Sequence, residues 1–301
     1  MLKEEALVIG LDIGGSKTLA GLVSREGEIG PRMQVATAPS PPAILAALRS
    51  LCDSLIDSAA APVLGIGIGS AGIIDTKEGR VIFANENMPG WTGTGLTDLA
   101  IGKSLPIAVE NDVRALAYGE AVMGAGVDYD SLLCVTVGTG IGGALIMSGE
   151  VWHGADYSAG EIGYLVVDWA DGKPLILDQY ASGLAIERAY QAAAGRDRRL
   201  PLKKIAQLAR EGDATATEAI RMKARLLGAI LAGCATSLNP AALVVGGGVP
   251  EIGALWWDAL EASFRESLPP PVAATPLLPA KLGADSVMLG AAMLAWKMVE
   301  A

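Results

Sequence analysis

The chain has 301 residues, 51% of them hydrophobic, and a formal net charge of −10. That length suits two domains better than one small core. The acidic balance, with no basic run longer than Arg198-Arg199 and Lys203-Lys204, excludes a nucleic-acid partner and fits a cytoplasmic enzyme of small metabolites. No apolar run reaches the roughly 18–20 residues of a membrane span, and the first strand follows Met1 too closely for a signal peptide. Cys52, Cys134 and Cys234 stand isolated in apolar segments, as buried free thiols do in a reducing compartment.

In chain order, Leu7-Val-Ile-Gly-Leu-Asp-Ile-Gly-Gly-Ser-Lys-Thr-Leu-Ala-Gly-Leu-Val23 reads as strand, glycine turn and strand. A turn at Arg25-Glu-Gly-Glu28 leads to a third strand. Helical spacing over 41–60 ends before Pro62; 63–70 is a buried strand, 81–83 a short one, 94–101 a helix and 106–110 a strand. Residues 111–124 form a helix with Asn111 or Asp112 as N-cap and Gly124 near its end. The opening pattern then recurs in Leu132-Leu-Cys-Val-Thr-Val-Gly-Thr-Gly-Ile-Gly-Gly-Ala-Leu-Ile-Met147, with a turn at Ser148-Gly-Glu150. Residues 156–183, rich in Gly, Tyr and acids, read as a site-forming loop. Helices follow over 183–194, 201–210 and 214–238. A strand at 241–245 runs into Gly246-Gly-Gly248, before a helix over 252–267, a proline turn at 269–271, a strand at 275–278 and a closing helix over 286–299. Three-strand clusters followed by βαβ units, repeated once, predict two related α/β domains. They divide as 1–111 and 112–286, with a terminal helix over 287–301 returning to the first domain.

Glycine in a turn reaches positive φ and bares N–H groups to an anion. Two glycine hairpins facing one another would grip a polyphosphate from both sides, which suggests a two-lobed phosphotransferase. Gly67-Ile-Gly-Ser-Ala-Gly72 and Gly138-Thr-Gly-Ile-Gly-Gly143 match the dinucleotide pattern, but each runs into extended chain where a nucleotide-binding helix should begin. A Walker A loop also fails, since no glycine immediately precedes Lys17. Asp12 sits where the first strand meets its turn; a carboxylate beside phosphate implies a bridging Mg²⁺, the alternative being a turn-forming Asx residue. Asp112, in Glu110-Asn-Asp112 at the domain junction, can take a proton from an attacking hydroxyl or can simply cap the helix. Glu161, in Gly160-Glu-Ile-Gly163, could offer a hydrogen-bonding carboxylate to a sugar, although on its own the segment reads as an ordinary surface loop. His153, the single histidine, has no partner cluster in the sequence and is expected to be structural or exposed.

Together these residues resemble the ROK sugar kinases of the actin/hexokinase-like superfamily, across nearly the whole chain. Leu11-Asp-Ile-Gly-Gly-Ser-Lys-Thr18 is similar to their first phosphate motif and Val137-Gly-Thr-Gly-Ile-Gly-Gly143 to the second. Val109-Glu-Asn-Asp112 resembles their catalytic segment, Ala159-Gly-Glu-Ile-Gly163 their sugar loop, and Gly246-Gly-Gly248 their second nucleotide-binding turn. The resemblance implies a ribonuclease H-like fold with a duplicated βββαβα core and an interdomain cleft, ATP and Mg²⁺ as cofactors, and a homodimer. It implies Asp112 as general base. Asn87, Asn111, Glu161, Tyr164 and Asp178 would lie at the sugar. Asp12, Gly14, Gly15, Lys17, Thr18, Gly138, Thr139, Gly140, Gly246, Gly247 and Gly248 would lie at the nucleotide, with Asp12 organising the metal indirectly.

Two departures from the family pattern stand out. Tyr164 occupies the place of the histidine that touches sugar and ligates zinc, and residues 167–177 hold none of the cysteines of the zinc loop, so no zinc site is expected. The family's following glutamate is Asp178. The expected reaction is transfer of the ATP γ-phosphoryl group to a hexose hydroxyl, the 6-hydroxyl of glucose. N-acetylglucosamine, N-acetylmannosamine and fructose kinases are the alternatives, and a non-catalytic sugar sensor is more remote. A repressor would need a DNA-binding segment ahead of a phosphate motif that here begins by residue 11.

Overall fold

The structure, a computed structural model, describes residues 6–85, 88–99 and 105–301. Strand β1 (Leu7–Ile13) is apolar on both faces because helices cover both. Ile9, Leu11 and Ile13 enter a core with Leu48, Leu51 and Leu55 of α1 (Pro41–Ser58). Val8 faces the opposite way, into a cluster with Ala292, Met293 and Trp296 of α8 (Ser286–Glu300). Gly10 and Asp12 share Val8's face by the two-residue period, and a side chain at Gly10 would collide with the Met288 carbonyl of α8.

The first sheet adds β2 (Lys17–Val23), β3 (Ile29–Ala36), β4 (Val63–Ser70) and β7 (Ile107–Asn111) in the order β3-β2-β1-β4-β7. β2 and β3 run antiparallel to their neighbours, whereas β4 and β7 are parallel to β1. Between β4 and β7 lies a hairpin of β5 (Ile73–Asp75) and β6 (Arg80–Phe83). The second sheet is built from β8 (Ser131–Val137), β9 (Ile141–Met147), β10 (Glu150–Trp152), β13 (Ala242–Gly246) and β14 (Leu277–Pro279). Its order, β10-β9-β8-β13-β14, repeats the first, and β13 is parallel to both β8 and β14. This duplicated order is that of the actin/hexokinase-like fold.

Two compact units result. One holds the chain up to Asp128, Ile146–Ala159 and Lys281–Ala301; the other holds Tyr129–Leu145 and Gly160–Ala280. The division thus falls after Asp128 and not after residue 111, because α2 (Asp112–Met123) packs within the first unit against α8. Two glycines bring these helices into near backbone contact: a side chain on Gly119 would lie 3.0 Å from the Gly290 Cα, and one on Gly290 would fall on the Ala115 carbonyl. The buried Glu120 carboxylate of α2 accepts N–H bonds from Ala125 (2.7 Å), Lys281 (2.9 Å) and Leu282 (2.9 Å), tying the start of the closing segment to the same unit.

Two segments differ from the sequence expectation. No helix forms over 94–99: Gly95 bridges to Arg80 in an extended pairing, and the Leu96 N–H bonds the Gly79 carbonyl at 2.8 Å. Residues 100–104 lie outside the described residues. The expected loop over 156–183 contains a hairpin, β11 (Val166–Ala170) and β12 (Lys173–Ile176), turned by Asp171 and Gly172 at positive φ, and a short helix α3 (Leu177–Ala181). The second unit is completed by α4 (Gly183–Ala193), α5 (Leu202–Arg210), α6 (Ala214–Leu238) and α7 (Ala254–Ser267). Cys52, Cys134 and Cys234 are buried, and no disulfide forms among the described residues. Among the described residues no helix is long and apolar enough to cross a membrane.

Candidate active site

In the first unit the β1–β2 turn exposes Gly15, Ser16 and Lys17. It is braced from beneath: the Gly14 N–H bonds the Lys17 carbonyl (3.1 Å), and the Thr37 hydroxyl donates to the Gly14 carbonyl (2.6 Å). Thr18 is buried, its hydroxyl 3.3 Å from that of Thr37. Neither Gly14 nor Gly15 has a positive φ; what glycine supplies here is bare backbone, a correction to the conformational argument from sequence.

The sheet register sets the acids. Asp12, Gly69 and Glu110 align across β1, β4 and β7, and Ile13, Ser70 and Asn111 form the next row, at the carboxyl ends of three parallel strands. Ligands of open α/β sheets bind at that edge. Asn111 caps α2 by accepting from the Arg114 N–H (3.1 Å), while its Nδ2 donates to the Gly72 carbonyl (2.8 Å) and to Asp112 Oδ1 (2.9 Å). The Val113 N–H donates to the same Oδ1 (2.9 Å). Burial pushes the Asp112 carboxyl up to about 6, against the pull of those donors and of Arg114. Asp12 is pushed up to about 7, first by burial and then by the neighbouring Asp112 charge, with Lys17 offsetting part of it. Asp12, the glycine turn, Asn111 and Asp112 therefore come together; Asn87 lies outside the described residues.

What holds this strand end carries no local sequence pattern. Glu110 is buried at the end of β7; its Oε1 accepts the Asn111 N–H (2.8 Å), and its Oε2 lies 2.6 Å from His153 Nε2. His153, expected to be structural or exposed, is thus half-buried and bonded to Glu110, two residues before Asp112. The partners are 43 residues apart, with no local pattern to announce them.

In the second unit the β8–β9 turn is closed by the Gly138 N–H on the Gly140 carbonyl (2.8 Å), leaving Thr139 exposed. No atom lies within 4 Å of where a side chain on Gly138 would project. Gly247, at φ +95°, presses on the backbone of Val137, and the Val249 N–H bonds the Val137 carbonyl (2.9 Å), so the turn over 246–248 sits beside the turn over 138–140. The Gly183 N–H at the start of α4 bonds the Gly138 carbonyl (2.8 Å). Asp178 belongs to the same cluster: its Oδ1 accepts the Ile141 N–H at 2.6 Å. Gly160 packs against the backbone of Ala144 and carries half-buried Glu161, while Tyr164 is 56% exposed. Beside Gly248 a cavity of about 270 Å³ is lined by Leu202, Lys203, Ala206, Arg210, Glu251 and Ile252. Those lining residues carry no motif, and only their expected helix, 201–210, was visible in sequence.

A sheet order used twice, each copy carrying a glycine turn on its first hairpin, defines a phosphotransferase of the actin/hexokinase-like class. The chain belongs to the ROK family, whose description matches residues 8–298. A glucokinase of Streptomyces coelicolor is 34% identical over 314 aligned positions, covering 96% of this chain and 97% of the relative. A crystal structure of a ROK family glucokinase from Streptomyces griseus with glucose and AMPPNP is 35% identical, with a TM-score of 0.82, covering 97% and 99% of the two chains. The ROK hexokinase of Thermus thermophilus gives a TM-score of 0.84 at 30% identity, covering 98% and 99%.

Proposed function

We propose that the chain is an ATP-dependent sugar kinase that transfers the γ-phosphoryl group to a hexose, with the glucose 6-hydroxyl as acceptor and Asp112 as general base. The observation that carries the assignment is Asp112 itself, a carboxylate at the first position of α2, raised to about 6 and oriented through Oδ1 by Asn111 and Val113. A base titrating near 6 is ionised at neutral pH yet basic enough to accept a hydroxyl proton in the transition state. With Oδ1 engaged, Oδ2 is the oxygen that takes it.

Each glycine turn, at 14–18 in the first unit and at 138–140 in the second, offers backbone N–H groups to nucleotide phosphates, and the first adds the charge of Lys17. The adenosine end lies in the cavity beside Gly246, Gly247 and Gly248. The Asp112 charge raises the cost of ionising Asp12, and a divalent cation relieves that repulsion. This donor set fits Mg²⁺, which keeps several waters and takes few protein ligands. When bound, Mg²⁺ would neutralise charge on the transferring phosphate, with Asp12 holding it. By the resemblance to the family, we assign sugar binding to Asn87, Asn111, Glu161, Tyr164 and Asp178. The enzyme is cytoplasmic and acts as a homodimer.

The test is ADP release with ATP and Mg²⁺ across glucose, mannose, fructose, N-acetylglucosamine and N-acetylmannosamine, repeated with Asp112→Asn. Turnover of glucose above the rest, and a fall in kcat of about 10²–10⁴-fold in the variant, is the expected result. Preference for an acetamido sugar or fructose would replace the substrate and keep the reaction. Silence on every sugar would leave a sensor.

A further inference from the structure

The base of a phosphoryl transfer must be held to a fraction of an ångström, and an exposed loop is a poor place from which to hold it. Here a line of contacts inside the first unit runs from the surface to Asp112. Tyr157 adopts φ +56°, a left-handed conformation that a bulky residue takes only when its surroundings impose it. The Asp75 carboxylate of β5 acts on its hydroxyl, and its ring meets His153 edge-on, with centroids 5.8 Å apart. His153 passes the contact to the buried Glu110 carboxylate, whose other oxygen holds the Asn111 N–H. Asn111 in turn holds Asp112 Oδ1.

We propose that Glu110 and His153 are a positioning pair for the general base: His153 fixes the Glu110 carboxylate, and Glu110 fixes the Asn111 peptide that aims Asp112. Neither touches substrate. The bridge uses both oxygens of one carboxylate, so the rotamer of Glu110 is determined at two points, and the histidine proton lies on Nε2, between ring and carboxylate. The proposal rests on Asp112 being the base, so its test separates the two.

His153→Gln keeps a donor where Nε2 stands, whereas His153→Asn is too short to reach Glu110. Both are read as kcat and KM for sugar and ATP, in the wild-type and in an Asp112→Asn background assayed at high enzyme concentration. His153→Asn is expected to lower kcat about tenfold with both KM values within about twofold, and His153→Gln to recover to within about threefold of wild type. In the Asp112→Asn background the His153→Asn change should add less than about twofold, because a device that aims the base has nothing left to aim. A His153→Asn enzyme at wild-type rate, a His153→Gln enzyme as impaired as His153→Asn, or a full tenfold loss persisting without Asp112 would each overturn the positioning role. Near wild-type turnover by Asp112→Asn alone would overturn the base assignment, and this proposal with it.

Discussion

Replacing Asp12 by Asn should yield a protein that is more stable at alkaline pH and close to inactive. The Asp12 carboxyl titrates near 3.8 in an unfolded chain and near 7 in the folded one. The native state therefore holds its proton longer, and stability is lost as pH rises through that interval, then levels off above it. Each pH unit between the two titrations is worth about 1.4 kcal/mol, which gives about 4 kcal/mol against the fully ionised native form. Asp12 keeps some contact with solvent, and screening brings the figure to about 2 kcal/mol. Asn carries no charge, so the variant should gain about 2 kcal/mol at pH 8 but only about 0.5 kcal/mol at pH 4.5, where native Asp12 is already protonated. For a unit of this size a gain of 2 kcal/mol raises the melting temperature by about 4–8 °C. Thermal melts of both proteins at the two pH values, without nucleotide or metal, measure it. An equal gain at both pH values, or none at pH 8, would refute the reasoning, because either result means that Asp12 carries no burial penalty on its charge.

Two further outcomes follow from the same geometry. At saturating sugar, ATP and Mg²⁺, where the metal would keep Asp12 ionised, kcat should show an acidic limb centred near 6, the value at which Asp112 takes up its proton; a profile flat down to pH 5 would place the base elsewhere. Gly290→Ala should cost about 3 kcal/mol in urea unfolding, because the added methyl falls on the Ala115 carbonyl and forces α2 away from α8. Unchanged stability there would mean that the two helices are not in backbone contact.

The parts of the molecule legible in sequence are those whose signal is local. The hairpin over 7–23 announces itself by an apolar run, a glycine turn and a second run, and α6 has its predicted bounds, 214–238, because Asp213 caps it and Asn239 ends it in the left-handed conformation. The segment over 94–99 misled because Thr and apolar residues at helical spacing outweighed Gly93 and Gly95, while the bonds that decide it come from Gly79 and Val81 across the chain. The hairpin over 166–176 is exposed along most of both strands, so no buried face imprinted an alternation. Its Asp171-Gly172 turn was the one readable sign. The site divided in the same way: glycine turns and Asp112 stand in motifs, whereas the bond between Glu110 and His153 and the lining of the cavity beside Gly248 exist only once distant strands and helices meet.

Asp178 shows how a one-methylene change alters what a site residue can do. Resemblance places a longer carboxylate here, at the sugar. In this chain the side chain starts from the first turn of α3 and reaches Ile141, where it accepts the N–H at the root of the second glycine turn. A side chain at Gly140 would collide with the same oxygen, so Asp178 fits there only because that turn position is bare. The carboxylate thus braces the second glycine turn from below, as Thr37 braces the turn of the first unit. An acid bonded in this way has one oxygen fewer to offer a sugar hydroxyl, and exposed Tyr164 replaces the second family ligand with a phenol. The Tyr164 change falls on the sugar loop alone, whereas the Asp178 change also reaches the second glycine turn, so this chain should depart from its relatives first in sugar selectivity.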